Sequence, residues 1–132
     1  MPNTPRLISI VDDDHSVRRA LQRLVQFAGF TVETFASAED FLSSPSLGRT
    51  ACLLLDVHLH GGMSGFELQA RLTADRVVIP IIFITAHDDV LTRERIERSG
   101  AAGYLHKPFT DKLLLDAIRG VVGGTALEWT KV

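Results

Sequence analysis

The sequence has little of several features that would assign a protein to a compartment or a class directly. Its single cysteine, Cys52, excludes an internal disulfide, and the apolar residues around it predict a small buried hydrophobic side chain. No apolar run approaches the ~20 residues that cross a bilayer. The apolar stretch near the N-terminus, residues 7–11, is too short for a signal peptide and is followed directly by three aspartates. We therefore expect a cytoplasmic protein without a membrane segment.

An excess of basic charge is also missing. Lys and Arg number 14 against 16 Asp and Glu, which gives a formal net charge of −2. Binding to nucleic acid would require a basic patch, and no helix-turn-helix pattern is present, so we expect no direct binding of DNA. The 45% hydrophobic and 23% charged residues are typical of a globular protein, and 132 residues fit one domain.

Short apolar runs alternate with amphipathic segments along the chain. Five such β–α units predict an α/β fold with a parallel sheet and helices on both faces. The first, third and fourth strands are apolar on both sides and belong in the centre, whereas the second and fifth belong at the edges. This pattern favours a flavodoxin-like doubly wound (βα)5 sheet with strand order 2-1-3-4-5. The predicted strands are 7–11, 31–35, 51–55, 81–84 and 104–105, and the predicted helices are 16–28, 38–42, 65–74, 89–99 and one that Thr110 caps.

The ends of the chain fall outside this pattern. We expect residues 1–5 to be a disordered N-terminus and residues 6–122 to form the domain. Residues 123–132 begin with two glycines and are expected to be a tail or the start of a linker.

Polar residues follow four of the predicted strands. Three aspartates, 12–14, follow the first strand, Asp56 ends the third, Thr85 ends the fourth, and Lys107 follows the fifth. Each has an ordinary explanation when taken alone, such as an aspartate that caps a helix or a solvated surface lysine. In a parallel sheet, however, all these strand ends meet at one edge, where ligand crevices open. Their convergence therefore predicts a functional site.

The chemistry of these side chains indicates a site for a metal and a phosphoryl group. Crowded carboxylates repel one another and favour a cation, and oxygen ligands suit Mg²⁺. Asp56 would attack phosphorus as a carboxylate nucleophile while the metal neutralises charge. Lys107 and the hydroxyl of Thr85 would bind the phosphoryl oxygens.

Four blocks at these positions resemble the signature blocks of two-component response-regulator receiver domains. The similarity covers residues 6–122, and its style resembles the receivers of nitrogen-fixation regulators. The resemblance implies that Asp56 accepts a phosphoryl group from a sensor histidine kinase or a histidine phosphotransfer protein, with Mg²⁺ as cofactor and Mn²⁺ as a substitute. It implies a signalling module that controls an output partner, rather than an enzyme with an external substrate. The blocks are residues 10–14, 54–57, 83–86 and 106–109.

The resemblance also implies ligands for the metal. Asp13 would bind the metal directly, Asp12 mostly through water, and Asp56 together with the backbone carbonyl of His58 would complete the protein ligands. His58 and His87 would flank the aspartyl phosphate and modulate its lifetime.

Further implied roles concern the switch and the partner surface. Thr85 and the aromatic residue Tyr104 would move inward after phosphorylation. The bond between Lys107 and Pro108 would be cis. A homodimer would form through the face of the fourth helix, fifth strand and fifth helix.

One segment departs from the family pattern. The loop 58–65 is one residue longer than usual and has His60 where the family commonly has proline. We expect its extra glycine to loosen the loop. The spacing of His58 and His60 also leaves a zinc site as an alternative.

A second functional class is compatible with the acidic loop. Residues 12–16 also read as Asp-x-Asp-x-Ser, which is similar to the nucleophile loop of haloacid-dehalogenase-type phosphatases. Asp12 would then be the nucleophile of a Mg²⁺-dependent phosphatase. Against this alternative, the chain has no room for a cap domain and Asp56 would have no role. A flavin site is excluded because the loop after the first strand is acidic rather than rich in glycine and hydroxyl groups.

Overall fold

Strand and helix alternate throughout the computed structural model, which describes residues 6–87 and 89–123. The predicted N-terminal segment 1–5 lies outside the described residues, as do residues 124–132 of the predicted tail 123–132. The strands are β1 (Leu7–Val11), β2 (Thr31–Phe35), β3 (Thr50–Asp56), β4 (Ile81–Thr85) and β5 (Gly103–His106). The helices are α1 (His15–Phe27), α2 (Ala38–Leu42), α3 (Gly65–Ala74), α4 (Val90–Arg98) and α5 (Asp111–Val122).

The sheet confirms the predicted fold class and strand order. All pairings are parallel and the order is β2-β1-β3-β4-β5. Every residue of β1 and β4 is buried, whereas the edge strand β2 alternates and β5 is only partly buried. Burial on both faces explains why the central strands are continuously apolar.

Successive strand residues point to opposite faces of the sheet, which creates two separate cores. One core packs α1 and α5 against residues such as Ile10, Leu54 and Ile82. The other packs α2, α3 and α4 against residues such as Leu53, Leu55 and Phe83. The helices therefore cover both faces, as the alternation of elements predicted.

Side-chain caps fix where the helices begin. Asp14 accepts hydrogen bonds from the Ser16 and Val17 amides at the start of α1. Ser37 caps α2 and Thr110 caps α5, each through its side-chain oxygen, as expected from the sequence. The helices begin and end within one residue of the predicted bounds.

One element was not expected from the sequence. A 3₁₀ helix, Pro45–Arg49, lies between α2 and β3. Ser44 caps it by accepting a hydrogen bond from the Ser46 amide at 2.9 Å. The element is a single short turn without an apolar period, so periodicity alone does not reveal it.

Cys52 lies in the middle of the sheet, as predicted. It is fully buried on β3, and burial raises the pKa of its thiol to about 12. In the described part of the chain, no helix is long and apolar enough to cross a membrane.

Phe41 and Phe27 allow a matched test of this core. Phe41 is fully buried and meets Phe35 edge-to-face, with ring centroids 5.3 Å apart, whereas Phe27 is 91% exposed. We expect Phe41→Ala to lower the free energy of unfolding by about 3–5 kcal/mol because it leaves a cavity. Phe27→Ala should change it by no more than about 0.5 kcal/mol. Urea denaturation of both variants measures this, and equal effects would contradict the assignment of the core.

Candidate functional site

Three carboxylates meet at the carboxyl edge of the central strands. Val11 pairs with Leu55, so the residues that follow β1 lie beside the end of β3. Asp12, Asp13 and Asp56 each offer an oxygen, and these oxygens lie within 4.8 Å of one another. Among residues 6–87 and 89–123, no other group of three or more metal-ligating side chains comes this close together. The histidines of the predicted zinc alternative do not form such a group there.

Asp12 is the most deeply buried of the three, with 1% of its surface exposed. One carboxylate oxygen accepts the Asp14 amide at 2.9 Å, and the other lies 3.3 Å from Lys107 Nζ. Arg18 donates to its backbone carbonyl at 2.8 Å. Its charge is therefore balanced inside the protein.

Asp56, the last residue of β3, is 8% exposed. Its Oδ1 accepts the His58 amide at 2.9 Å and its Oδ2 lies 3.5 Å from Lys107 Nζ. Burial raises the pKa of Asp56, and the charge of Asp12 raises it further. The His58 amide and Lys107 oppose this shift without cancelling it.

Lys107 follows β5 and reaches across β4 to the two buried carboxylates. Its backbone amide donates to the Thr85 carbonyl at 2.8 Å, which fixes the position where the side chain starts. Burial lowers the pKa of Lys107, but the charges of Asp56 and Asp12 outweigh burial and raise it overall. Lys107 is therefore a cation at neutral pH. The bond from Lys107 to Pro108 is cis.

Thr85 is fully buried at the end of β4, and its hydroxyl is bonded within its own loop. The hydroxyl oxygen accepts a hydrogen bond from the His87 amide at 2.9 Å, and the O–H donates to the His87 carbonyl at 3.2 Å. Tyr104 pairs with Phe83, and its half-buried side chain packs into the same core as Phe83. Phe83 and Thr85 are two residues apart on β4 and therefore point to the same face of the sheet. Tyr104, the partner of Phe83, lies on that face as well.

His58 and His87 extend the site toward solvent. They follow β3 and β4, and their rings meet edge-to-face with centroids 4.2 Å apart. Both residues are exposed. The two histidines expected to flank Asp56 thus contact each other.

The loop between β3 and α3 is attached at several points, contrary to the expectation that its extra glycine would loosen it. His60 donates both its amide and its ring Nδ1 to Asp13 Oδ2, at 2.8 and 2.7 Å. The Met63 amide donates to Glu39 Oε2 at 2.8 Å, and a side chain at Gly62 would collide with that carboxylate. The loop is therefore bonded to both Asp13 and Glu39.

The end of this loop also requires glycine for a steric reason. A methyl group on Gly65 would overlap the Asp56 carbonyl, so only glycine lets α3 begin against the end of β3. Ser64 and Glu67 form a capping box that starts the helix.

Asp13 differs electrostatically from its two neighbours. Burial raises its pKa, but the two hydrogen bonds and the charge of His60 outweigh burial and lower it overall. Asp13 is therefore ionised at neutral pH.

Sequence reasoning named Asp13 but missed its partner His60 and the second anchor, Glu39. His60 was visible only as a departure from a family pattern. Glu39 carried no signal, because its contact with Met63 joins residues 24 positions apart. Of the three consecutive aspartates, Asp14 caps α1, whereas Asp12 and Asp13 join the acidic cluster. The sequence did not show which aspartate has which role.

The fold and this site agree with the comparison to known proteins. The chain matches the response regulator receiver domain over residues 8–119 and belongs to that family. It is thus a receiver domain of two-component signalling, a class of signalling modules in which phosphorylation and magnesium are general features. The resemblance noted in the sequence is confirmed.

Individual curated proteins are similar to the chain over most of its length. It is 42% identical to nodulation protein W of Bradyrhizobium diazoefficiens over 116 residues, covering 88% of this chain and 51% of the relative. It is 38% identical to response regulator protein TodT of Pseudomonas putida, covering 92% of this chain and 53% of the relative. The chain thus spans about half the length of these curated relatives.

Solved structures show the same fold. The response regulator StyR superposes with a TM-score of 0.81 at 45% identity, covering 90% of this chain and 60% of that one. The crystal structure of FixJ-N gives a TM-score of 0.80 at 32% identity, covering 90% of this chain and 94% of that one.

The raised pKa of Asp56 predicts a stability change when its charge is removed. An acid whose pKa is higher in the folded state stabilises folding below its unfolded pKa and loses that contribution as pH rises through its folded pKa. At pH 7 without metal, the ionised Asp56 therefore opposes folding. We expect Asp56→Asn to raise the midpoint of thermal unfolding by a few degrees, since about 1 kcal/mol corresponds to a shift of that size.

The same measurement at other pH values tests the cause. The advantage of Asp56→Asn should shrink as pH falls through the raised folded-state pKa of Asp56, and it should be gone near the unfolded value of about 4. Asp40→Asn, at an exposed position, is the matched control and should show no such gain. A variant of Asp56 less stable than wild type at pH 7 would contradict the electrostatic account.

Proposed function

We propose that the chain accepts a phosphoryl group on Asp56 from a sensor histidine kinase or a histidine phosphotransfer protein. The observation that carries this proposal is the meeting of three carboxylates with one ammonium group at the sheet edge. Response regulators as a family work with sensor kinases. The donor, either a kinase or a phosphotransfer protein, and the control of an output partner are both parts of this proposal.

The donor set fits a divalent cation. Asp12, Asp13 and Asp56 provide oxygen atoms only, which suits a hard ion such as Mg²⁺, and Mn²⁺ accepts the same ligands. The backbone carbonyl of His58 is the proposed fourth protein ligand. Such a cation, when bound, would neutralise charge on the phosphoryl group.

The protein groups then divide the chemistry. The ionised carboxylate of Asp56 attacks phosphorus, a P–O bond forms, and the P–N bond to the donor histidine breaks. Lys107 Nζ, already 3.5 Å from Asp56 Oδ2, stabilises negative charge on the transferred group. The donor imidazole leaves with the electron pair of the broken bond and takes up a proton.

The proposed conformational switch starts at Thr85. Its hydroxyl must leave the main chain of His87 to bind a phosphoryl oxygen, because both its present bonds lie within that loop. Tyr104, on the same face of the sheet, would then turn toward the space that the loop vacates. A new charge of about −1.5 to −2 is sufficient to order such a contact.

A partner surface is proposed on the other side of this switch. Three large apolar side chains are exposed on α4 and α5, namely Val90 at 57%, Leu91 at 77% and Leu113 at 53%. Their exposure supports a homodimer through the α4–β5–α5 face. With a net charge of −2, the chain offers no excess of positive charge for DNA, so we propose that it acts through an output partner.

Phosphorylation of Asp56 can be tested with a small phosphodonor. We expect acetyl phosphate with Mg²⁺ to label the protein on an acid-stable, base-labile site, and peptide mapping should place the label on Asp56. Asp56→Asn should abolish the label, and removal of the metal should do the same. Lys107→Ala should slow labelling by about 10²-fold or more, since it removes a charge-stabilising donor.

The alternative function makes a different prediction in the same experiment. Label on Asp12, with turnover of an external phosphate ester, would support the Asp12 phosphatase and overturn the receiver assignment of Asp56. Asp40→Asn serves as the control, because Asp40 is exposed and is not part of the acidic cluster.

The contact between the rings of His58 and His87 predicts that phospho-Asp56 hydrolyses more slowly in the wild type than in variants that lack either ring. The two residues follow β3 and β4, and their rings meet with centroids 4.2 Å apart. We propose that this ring pair limits the approach of water to the phosphorylated Asp56. We expect His58→Ala and His87→Ala each to shorten the half-life of phospho-Asp56 several-fold, and the double variant to do little more. The decay of the label after removal of phosphodonor measures this. Strictly additive effects, or none, would show that the ring contact does not shield the phosphate.

A further inference from the structure

A single residue, His60, supplies both hydrogen bonds that the Asp13 side chain receives within the described part of the chain. The backbone amide and ring Nδ1 of His60 lie 2.8 and 2.7 Å from the same oxygen, Oδ2. An ionised carboxylate only accepts hydrogen bonds, so Nδ1 carries the proton. The two donors occupy both lone pairs of Oδ2 and leave Oδ1 as the free oxygen of Asp13.

The three carboxylates are not held equally. Asp12 and Asp56 share Lys107, and only 2% and 11% of their side chains are exposed. Asp13 has 24% of its side chain exposed and is held by His60 instead. The orientation of Asp13 therefore depends on the loop between β3 and α3, rather than on the core.

The position of the His60 backbone is fixed from both sides. Before it, the His58 amide is bonded to Asp56, and after it the Met63 amide is bonded to Glu39. The carboxylate of Glu39 also occupies the space beside Gly62. His60 is thus placed over Asp13 by anchors that do not involve its ring.

The ring itself does little packing. The His60 side chain is 87% exposed, so its contact with Asp13 is not a by-product of burial. An exposed ion pair of this kind contributes little to folding stability. A role in the geometry of the acidic cluster accounts for a ring in this position.

We propose that His60 is a positioning residue for the cation site, which orients Asp13 so that Oδ1 faces the ion. The proposal rests on the cation site of the proposed function. It assigns a role to the residue by which this loop departs from its family. Because His60 and the cation use different oxygens of Asp13, the two interactions reinforce each other instead of competing.

The test is the affinity for Mn²⁺, followed by electron paramagnetic resonance, and for Mg²⁺, followed by calorimetry. His60→Ala keeps the amide bond but loses the ring donor, and we expect it to weaken binding about tenfold, as the loss of a hydrogen bond to a metal ligand does. His60→Asn keeps an N–H donor at the δ position and should restore most of the affinity. His60→Gln moves the donor to the ε position and should resemble the alanine variant.

A matched control separates this effect from the loss of any imidazole. His15 is another exposed histidine at this edge, and its ring contacts Arg18 at 3.3 Å rather than the carboxylates. His15→Ala should leave the affinity unchanged. The midpoint of thermal unfolding without metal should also be unchanged in the His60 variants, which shows that folding is not the cause.

A second readout follows the loop directly. Saturation with Mg²⁺ should slow hydrogen exchange of the His60 and Met63 amides in the wild type, because cation binding and loop order are linked. The slowing should be smaller in His60→Ala.

The outcomes distinguish this inference from the function on which it rests. If Asp13→Asn binds Mg²⁺ as tightly as the wild type, the proposed cation site itself is wrong. If Asp13→Asn loses binding while His60→Ala keeps or improves it, the cation site stands and the role of His60 is overturned. Equal weakening in the alanine and asparagine variants would also overturn the positioning role, since the δ donor would then be irrelevant.

Discussion

The crowding of Asp12, Asp13 and Asp56 is the constraint on which the rest of this structure depends. Three carboxylates within 4.8 Å of one another, two of them nearly fully buried, would repel strongly in water-poor surroundings. Lys107 offsets part of this repulsion, and the main-chain amides of Asp14 and His58 offset another part by donating hydrogen bonds to Asp12 and Asp56. The raised pKa of Asp56 shows that the balance is incomplete. The site is therefore predisposed to take up a cation.

The parallel sheet is what keeps such an arrangement in place. Strands β1 and β3 are neighbours although α1, β2, α2 and the 3₁₀ helix separate them in the chain, so their ends meet at one edge. Two apolar cores, one on each face, hold these strands in register. Asp56 and Thr85 end their strands, whereas Asp12, Asp13 and Lys107 lie in the loops that follow. These loops can change contacts without disturbing either core.

The contacts of Thr85 bear on the proposed switch. Thr85 satisfies its hydroxyl within its own loop, so a phosphoryl oxygen would compete with existing bonds instead of filling an empty place. Tyr104 pairs with Phe83, two residues before Thr85 on β4, and exposed apolar residues lie on α4 and α5. The proposed switch is thus a local exchange of hydrogen bonds at Thr85 that changes the conformation of the partner surface.

The sequence by itself determined the fold, the strand order and the four polar positions at the strand ends. These features follow from local periodicity and from the rule that the carboxyl ends of parallel strands align, so Asp56 and Lys107 could be brought together without coordinates. Only the tertiary structure decided which partner each aspartate has: Asp14 caps α1, Lys107 joins Asp12 to Asp56, and His60 holds Asp13. It also decided that the longer loop is anchored to Glu39. The contacts of Asp13 with His60 and of Glu39 with Met63 depend on the path of a loop that meets residues 47 and 24 positions away, and no local pattern in the chain encodes that path.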